Sequence, residues 1–295
     1  MELKQVLGDT WYLEADELIL LYRLPGGACV LLDSGLRTER EGLVQALEDH
    51  GLTPVGVLGS HAHIDHWGNA FFLRERYGAR LALPEGEAAI TACPELLRGL
   101  YGNLSPALFQ DRYGHLLGRV DQTVGPADGP VTFCGAEFRV IHTPGHSPDH
   151  ICTVTPDGVC YLADAAFTPD FLAAAKLPYH ADHGRARTSM ETLRGLDCPA
   201  YLSAHRGVET DLDGVLDANL ARLDQVGETL LGLMEGSMTF DQLCQRALDH
   251  LHLLTARPDR AALYARNLRC FLDELLDRGA AAMEVRAGVR YYRRA

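Results

Sequence analysis

Four apolar runs in this chain end at residues able to bind a metal ion, and that shared ending constrains the fold more than any other feature. "VGVLGS" leads straight into "HAHIDH" at residues 61–66, and "AEFRVIH" leads into "TPGH" with His146. "GVCYLA" stops at Asp164, and "AYLSA" stops at His205. Short apolar runs bounded by turn-forming residues read as buried strands. If each run is a strand, the ligand residues can all lie at one end of a sheet, where open α/β folds gather their binding groups.

The rest of the chain fits that layout. "WYLEA", "LILLYRL" and "ACVLLDSG" read as early strands broken at "PGG" and "DSG". "RTEREGLVQALEDHG" reads as a helix closed by Gly51, with Leu43, Val44 and Leu47 marking its apolar face. "NAFFLRERYG" is a helix ending at Gly78, and "ARLALP" the next strand. This alternation predicts an α/β layered fold with strands buried on both faces. Residues 86–128 interrupt it with helical sequence broken by Gly and Pro, read either as a helical lid over the site or as a packing excursion. Strands resume at "PVTFCG", "AEFRVIHT" and "HICTVT", and "TSMETLRGL" reads as a short helix capped by Thr188 or Ser189.

Beyond residue 212 the texture changes to three helical patterns. The second opens with a capping box at Thr239 and Gln242, and the third sets Leu263, Leu268, Phe271, Leu272, Leu275 and Leu276 at helical spacing. "AAMEVRAGVRYYRR" then reads as two short strands about an Ala-Gly turn, an order that resembles a winged helix. The expected division is 1–211, carrying the candidate ligands, and 212–295, a small helical, winged-helix-like unit.

Charge and cysteine content narrow the setting. The formal net charge is −13, and residues 211–295 hold 11 Lys/Arg against 13 Asp/Glu, so nearly all the excess lies on the first part. Nucleic acid and anionic membranes require cationic surface, which disfavours both as partners. Only the extreme end is basic, with Arg286, Arg290, Arg293 and Arg294. The eight cysteines show no C-x-x-C spacing and sit mostly in apolar runs, as reduced buried thiols do. The start lacks the marks of a secretory leader and no apolar stretch is long enough to span a bilayer, so a cytoplasmic setting is expected. No nucleotide-binding glycine motif and no G-x-S-x-G elbow is present.

Imidazole and carboxylate are good ligands for zinc and similar ions. On extended backbone His61 and His63 point the same way and can grip one ion, while Asp65 and His66 follow where the chain turns into a helix. A solvated polar loop would account for "HAHIDH" alone, but not for all four endings in this order. That order, H-x-H-x-D-H, then T-P-G-H, then a strand-ending Asp, then a strand-ending His, resembles the metallo-β-lactamase-fold hydrolases over residues 10–210. The resemblance implies an αββα sandwich with two divalent ions at one edge, zinc by expectation, with iron or manganese as alternatives. It places His61, His63 and His146 on the first ion, Asp65, His66 and His205 on the second, and Asp164 between them. It also implies attack by a hydroxide held between two cations, oriented by Asp65.

Other residues carry weaker signals. "TPGHSPDHICTV" looks like the corresponding stretch of glyoxalase II, which makes His150 either a partner that orients a ligand or a plain structural residue. Tyr179, His180 and His183 lie on the connection after Asp164, either touching substrate or on a solvated loop. "DSGL" at 33–36 resembles an early turn of the family, or is an ordinary capped turn. The expected activity is cleavage of a small ester or thioester. A lactonase, a β-lactamase, a phosphodiesterase or ribonuclease, and a mono-iron persulfide dioxygenase are the alternatives on this scaffold. The tail is assigned to packing or to pairing of two copies rather than to nucleic acid.

Overall fold

The computed structural model describes residues 1–102, 104–205 and 207–295, with Asp259 described by its backbone alone. Strands β1 (Leu3–Leu7), β2 (Thr10–Leu13), β3 (Ile19–Arg23), β4 (Ala28–Leu32), β5 (Thr53–Leu58), β6 (Arg80–Pro84) and β7 (Gln122–Val124) form one sheet in sequence order. Its first four strands are antiparallel neighbours, and from β4 to β7 the pairing is parallel. The second sheet runs in reverse order from β13 (Gly207–Glu209) through β12 (Tyr201–Ser203), β11 (Cys160–Ala163), β10 (Ile151–Val154) and β9 (Ala136–His142) to β8 (Gly129–Phe133).

Alternation along single strands explains the layering. On β4, Val30 and Leu32 face the interior between the sheets, where they meet Phe138, Val140, Ile151 and Leu202. Cys29 and Leu31 face the other way, toward Leu43 and Leu47 of helix Arg40–Asp49 and Leu73 of helix Ala70–Tyr77. Ile141, Cys152, Val154, Cys160 and Leu162 on the second sheet face outward against Met190 and Leu193 of helix His183–Leu193 and against Leu212, Val215 and Leu216 of helix Leu212–Leu233. The order of layers is therefore α-β-β-α, as the resemblance implies.

The tail follows as helices Leu212–Leu233, Phe240–His250 and Pro258–Asp277, then the hairpin β14 (Ala281–Arg286) and β15 (Val289–Arg294). The Thr239–Gln242 capping box is formed. The apolar cluster runs unbroken from the outer face of the second sheet to Leu268, Phe271, Leu272 and Leu275 on the last of these helices, but Leu263 is exposed rather than packed with them. All eight cysteines are free thiols. No helix among the described residues is long and apolar enough to cross a membrane.

Two local expectations are corrected. The helix read from "TSMETLRGL" begins at His183, with Asp182 accepting from the Arg185 amide as its cap; Thr188 sits inside the helix and bonds back to the Gly184 carbonyl. Its first turn was illegible because "HGRA" lacks an apolar period. His180 and His183 are buried, not on a solvated loop.

Candidate metal centre

Strand ends bring the expected ligands together. His61 and His63 leave β5 in extended backbone, and the chain then turns at helix Ile64–Trp67, which carries Asp65 and His66. Gly68 lets this turn lie against the "DSGL" loop: a Cβ there would meet the Gly35 carbonyl at 2.6 Å. Gly145, at φ +140°, does the same for the His146 loop, where a Cβ would run into the backbone of Ala186. Ala163 holds φ +46° immediately before Asp164, and Asp33 holds φ +65°, both costly for residues with a side chain and both beside the site.

The first triad is His61, His63 and His146, all buried. His63 Nδ1 lies 2.8 Å from His61 Nε2 and 2.9 Å from His146 Nε2. His146 donates its Nδ1 proton to the Tyr179 carbonyl at 2.9 Å, which leaves Nε2 as a bare lone pair. Ser60 Oγ donates to Asp33 and so accepts from His61 Nδ1 at 2.9 Å, leaving His61 Nε2 bare as well. A single proton on His63 Nδ1 could satisfy only one of the two; a cation satisfies all three nitrogens. Burial, reinforced by the neighbouring imidazoles, holds His61 well below its ordinary pKa. Burial also lowers His63, to about 3, and puts His146 well below its usual range, so all three imidazoles are neutral at pH 7, as binding a cation requires.

The second triad is Asp65, His66 and His205. Burial would depress His66 and His205, but the carboxylates facing them, Asp164 foremost, outweigh it and raise both. Asp164 stands between the triads. One of its oxygens is 3.5 Å from His66 Nε2, and the other is 3.2 Å from His146 Nε2 and 3.4 Å from His205 Nε2. His66 Nε2 and Asp164 Oδ1, 3.5 Å apart, are buried without a hydrogen-bond partner. Orphaned lone pairs this close together are costly unless a cation meets them, and the donor set fits divalent metal ions.

The supporting residues include several that the sequence reading passed over. Asp33, at the end of β4, accepts from the Ser60 amide and hydroxyl at 2.6 Å each, from His66 Nδ1 at 2.7 Å and from the Tyr161 hydroxyl at 2.9 Å. It also falls within ligand distance of His61 and His66, but with four donors already on its oxygens it orients ligands rather than acting as one. The signal was available, since Asp33 is a strand-ending acid like Asp164. Glu87 is buried and joins two ligand loops, accepting from the Ala62 amide, the Ser147 hydroxyl and the Asp149 amide. His150 lies behind the centre: its Nε2 accepts from the Asp164 amide at 3.3 Å and its Nδ1 meets the Thr143 hydroxyl at 2.8 Å.

A cavity of about 600 Å³ opens over the ligands. Phe167, Phe171 and Leu177 form apolar wall; Tyr101, Arg112 and Tyr113 reach it from the 86–128 segment, and Leu263 and Arg266 from the last tail helix. Tyr179 lines it, with the Arg266 guanidinium 4.0 Å over its ring. His183 does not line it; its Nδ1 meets Glu274 at 3.1 Å, beneath the tail.

Residues 17–205 match the metallo-beta-lactamase superfamily, and the chain belongs to that family. It is 31% identical to an atrochrysone carboxyl ACP thioesterase of Aspergillus fumigatus, over 66% of this chain and 46% of that protein. It is 28% identical to a hydroxyacylglutathione hydrolase of Rhizobium meliloti, over 50% of this chain and 47% of that protein, so the chain spans about half the length of these curated relatives. Among solved structures it is similar to a metallo-beta-lactamase family protein of Thermus thermophilus, with a TM-score of 0.68, 25% identity and 94% of each chain covered.

Proposed function

We propose that this chain is a binuclear metallohydrolase that cleaves a thioester. The observation that carries this reading is the buried carboxylate of Asp164, set between two facing ligand triads at the floor of an apolar cavity. His61, His63 and His146 would hold one ion, Asp65, His66 and His205 the other, with Asp164 shared. Divalent ions held there, zinc by the nature of the donors, supply an activated water and polarise a carbonyl oxygen. Asp65 orients the attacking water and takes its proton at a carboxylate oxygen. Phe167, Phe171 and Leu177 exclude bulk water and bind the acyl part. Relatives named as an acyl-carrier thioesterase and an acylglutathione hydrolase favour a thioester over an oxygen ester.

The test is a comparison of zinc-loaded protein on S-hexanoyl-N-acetylcysteamine, its oxygen-ester analogue, a lactone, a β-lactam and a phosphodiester, alongside metal analysis. Thioester turnover at least tenfold above every other class is expected. Protein holding two equivalents of zinc that leaves the thioester intact would overturn the reading.

A further inference from the structure

The cavity over the ligands carries a charge pattern opposite to that of the chain. Apart from the candidate ligands, its charged lining residues are Arg112, on helix Pro106–Tyr113, and Arg266, on the last tail helix. Carboxylates are plentiful here, 40 Asp/Glu against 27 Lys/Arg, yet neither arginine pairs with one among the described residues. Arg269, three positions after Arg266, does pair, with Asp273 at 2.9 Å. Arg266 is held in place without being used up. Its guanidinium lies 4.0 Å over the Tyr179 ring, and Nη1 donates to the Leu100 carbonyl at 3.4 Å. Nε is buried, but Nη2 is neither buried nor hydrogen-bonded, so its protons are free for a ligand. The Tyr179 ring is 5.8 Å from the His63 ring and 5.4 Å from the His146 ring, which puts this cation within about 10 Å of the first triad. A half-buried guanidinium facing a metal-binding cavity with no counter-charge favours a ligand that supplies one.

We propose that Arg266 and Arg112 form an anion subsite, and that the substrate is a thioester carrying a negative group a short way from its reacting carbonyl. The proposal rests on the thioesterase reading above and names the substrate class within it. A hydrogen-bonded oxygen sits about 3 Å from its donor and extended chain covers about 1.2 Å per bond, so the negative group lies no more than about six bonds from the carbonyl carbon. Phe167, Phe171 and Leu177 would take the apolar stretch between them. The shared chemistry is an anion at that reach, a carboxylate in the simplest case, on either the acyl arm or the thiol arm. A guanidinium that holds this remote group does so equally before and during the reaction. It therefore acts through KM, and kcat stays close to that of a neutral substrate.

Zinc-loaded protein is assayed on S-hexanoyl-N-acetylcysteamine, on S-adipoyl-N-acetylcysteamine, whose carboxylate ends the acyl arm, and on the hexanoyl thioester of 4-mercaptobutanoate, whose carboxylate ends the thiol arm. At least one anionic substrate should exceed the neutral one about tenfold in kcat/KM, mostly through KM, and which one does so identifies the arm. The ratio should shrink as NaCl rises from about 20 to about 500 mM. Arg266→Gln should bring it to within about twofold of one, and Arg266→Lys should restore part of it. A residue that only braced Leu100 and Tyr179 would lower all three substrates together and leave the ratio intact. Calorimetry reads the same contact without turnover: the inert thioether of the preferred anionic substrate should bind wild type about tenfold more tightly than Arg266→Gln. Arg112→Gln, at an exposed position with no protein bond to lose, should cut the ratio about threefold. Equal turnover of neutral and anionic thioesters by the wild type would overturn this proposal alone, as would a preference that survives Arg266→Gln. Should that variant not fold, a ratio indifferent to both salt and Arg112→Gln overturns it instead. A wild type inert toward all three substrates would overturn the functional reading with it.

Discussion

Replacing Asp33 by asparagine should damage the metal centre although Asp33 need touch no ion. The carboxylate collects four donors between 2.6 and 2.9 Å: two from Ser60, one from His66 and one from Tyr161. Asparagine keeps one carbonyl oxygen and turns the other acceptor into an NH₂ donor. The less costly orientation keeps the oxygen toward the Ser60 hydroxyl, His66 and Tyr161, leaves the Ser60 amide facing N–H, and weakens the rest from charged to neutral bonds. A loss of about 2–4 kcal/mol of stability follows. His66 loses the anion that fixes its Nδ1 proton, and a change of that kind typically costs 10- to 100-fold in metal affinity. Urea unfolding of metal-free protein measures the first quantity, and chelator competition for zinc the second. A variant stable to within about 0.5 kcal/mol, with zinc affinity unchanged, would refute the assignment of Asp33 as the residue that orients His66.

Asp164→Ala should leave less than one equivalent of bound zinc, because it removes the carboxylate that faces both triads, whereas Asp65→Ala should keep about one; two equivalents in both variants would contradict the shared-carboxylate arrangement. Glu274 should make the tail contact sensitive to acid: although burial opposes it, the hydrogen bonds from His183 and Arg187 hold its pKa near 2, below the ordinary 4.5. Its folded value lies below its unfolded value, so this stabilisation is present above about 4.5 and is lost as pH falls toward 2. In chelator-treated protein, Glu274→Gln should lower the urea midpoint at pH 7, and the gap to the wild type should narrow steadily as pH falls from about 4.5 toward 2; a gap that stays constant with pH would show that the ion pair contributes nothing.

The sheets and the candidate ligand cluster were legible because both rest on local pattern. Alternation on β4 alone decides which layer Val30 and Leu31 enter, and each ligand is announced by the strand before it. What the sequence hid depends on partners far along the chain. Asp33 becomes an orienting residue only when Tyr161, 128 residues away on the other sheet, reaches across to it. His183 looked like a loop residue because its partner Glu274 lies 91 residues on, and a polar side chain paired inside the protein has no apolar period to reveal it. Leu263 shares the helical spacing of Leu268 and Leu272 but lies nearer the start of its helix, where it borders the cavity instead of the core.

The tail reaches the cavity through several side chains of its last helix, and Arg266 is the one that also touches the neighbouring segments. Arg266 lies 4.0 Å over the Tyr179 ring, and the Tyr179 carbonyl accepts the proton that fixes the tautomer of His146. The same guanidinium bonds the Leu100 carbonyl, next to Tyr101. No carboxylate partner pairs with Arg266 among the described residues, so its charge also faces the cavity it lines. A module whose only task was to pack against the second sheet would need the leucines of its last helix and nothing at this position. Because Arg266 touches both the loop behind the first triad and the segment that carries Tyr101, displacing the last helix loosens both at once. The 86–128 segment and the loop that sets the His146 tautomer thus meet at one side chain of the tail.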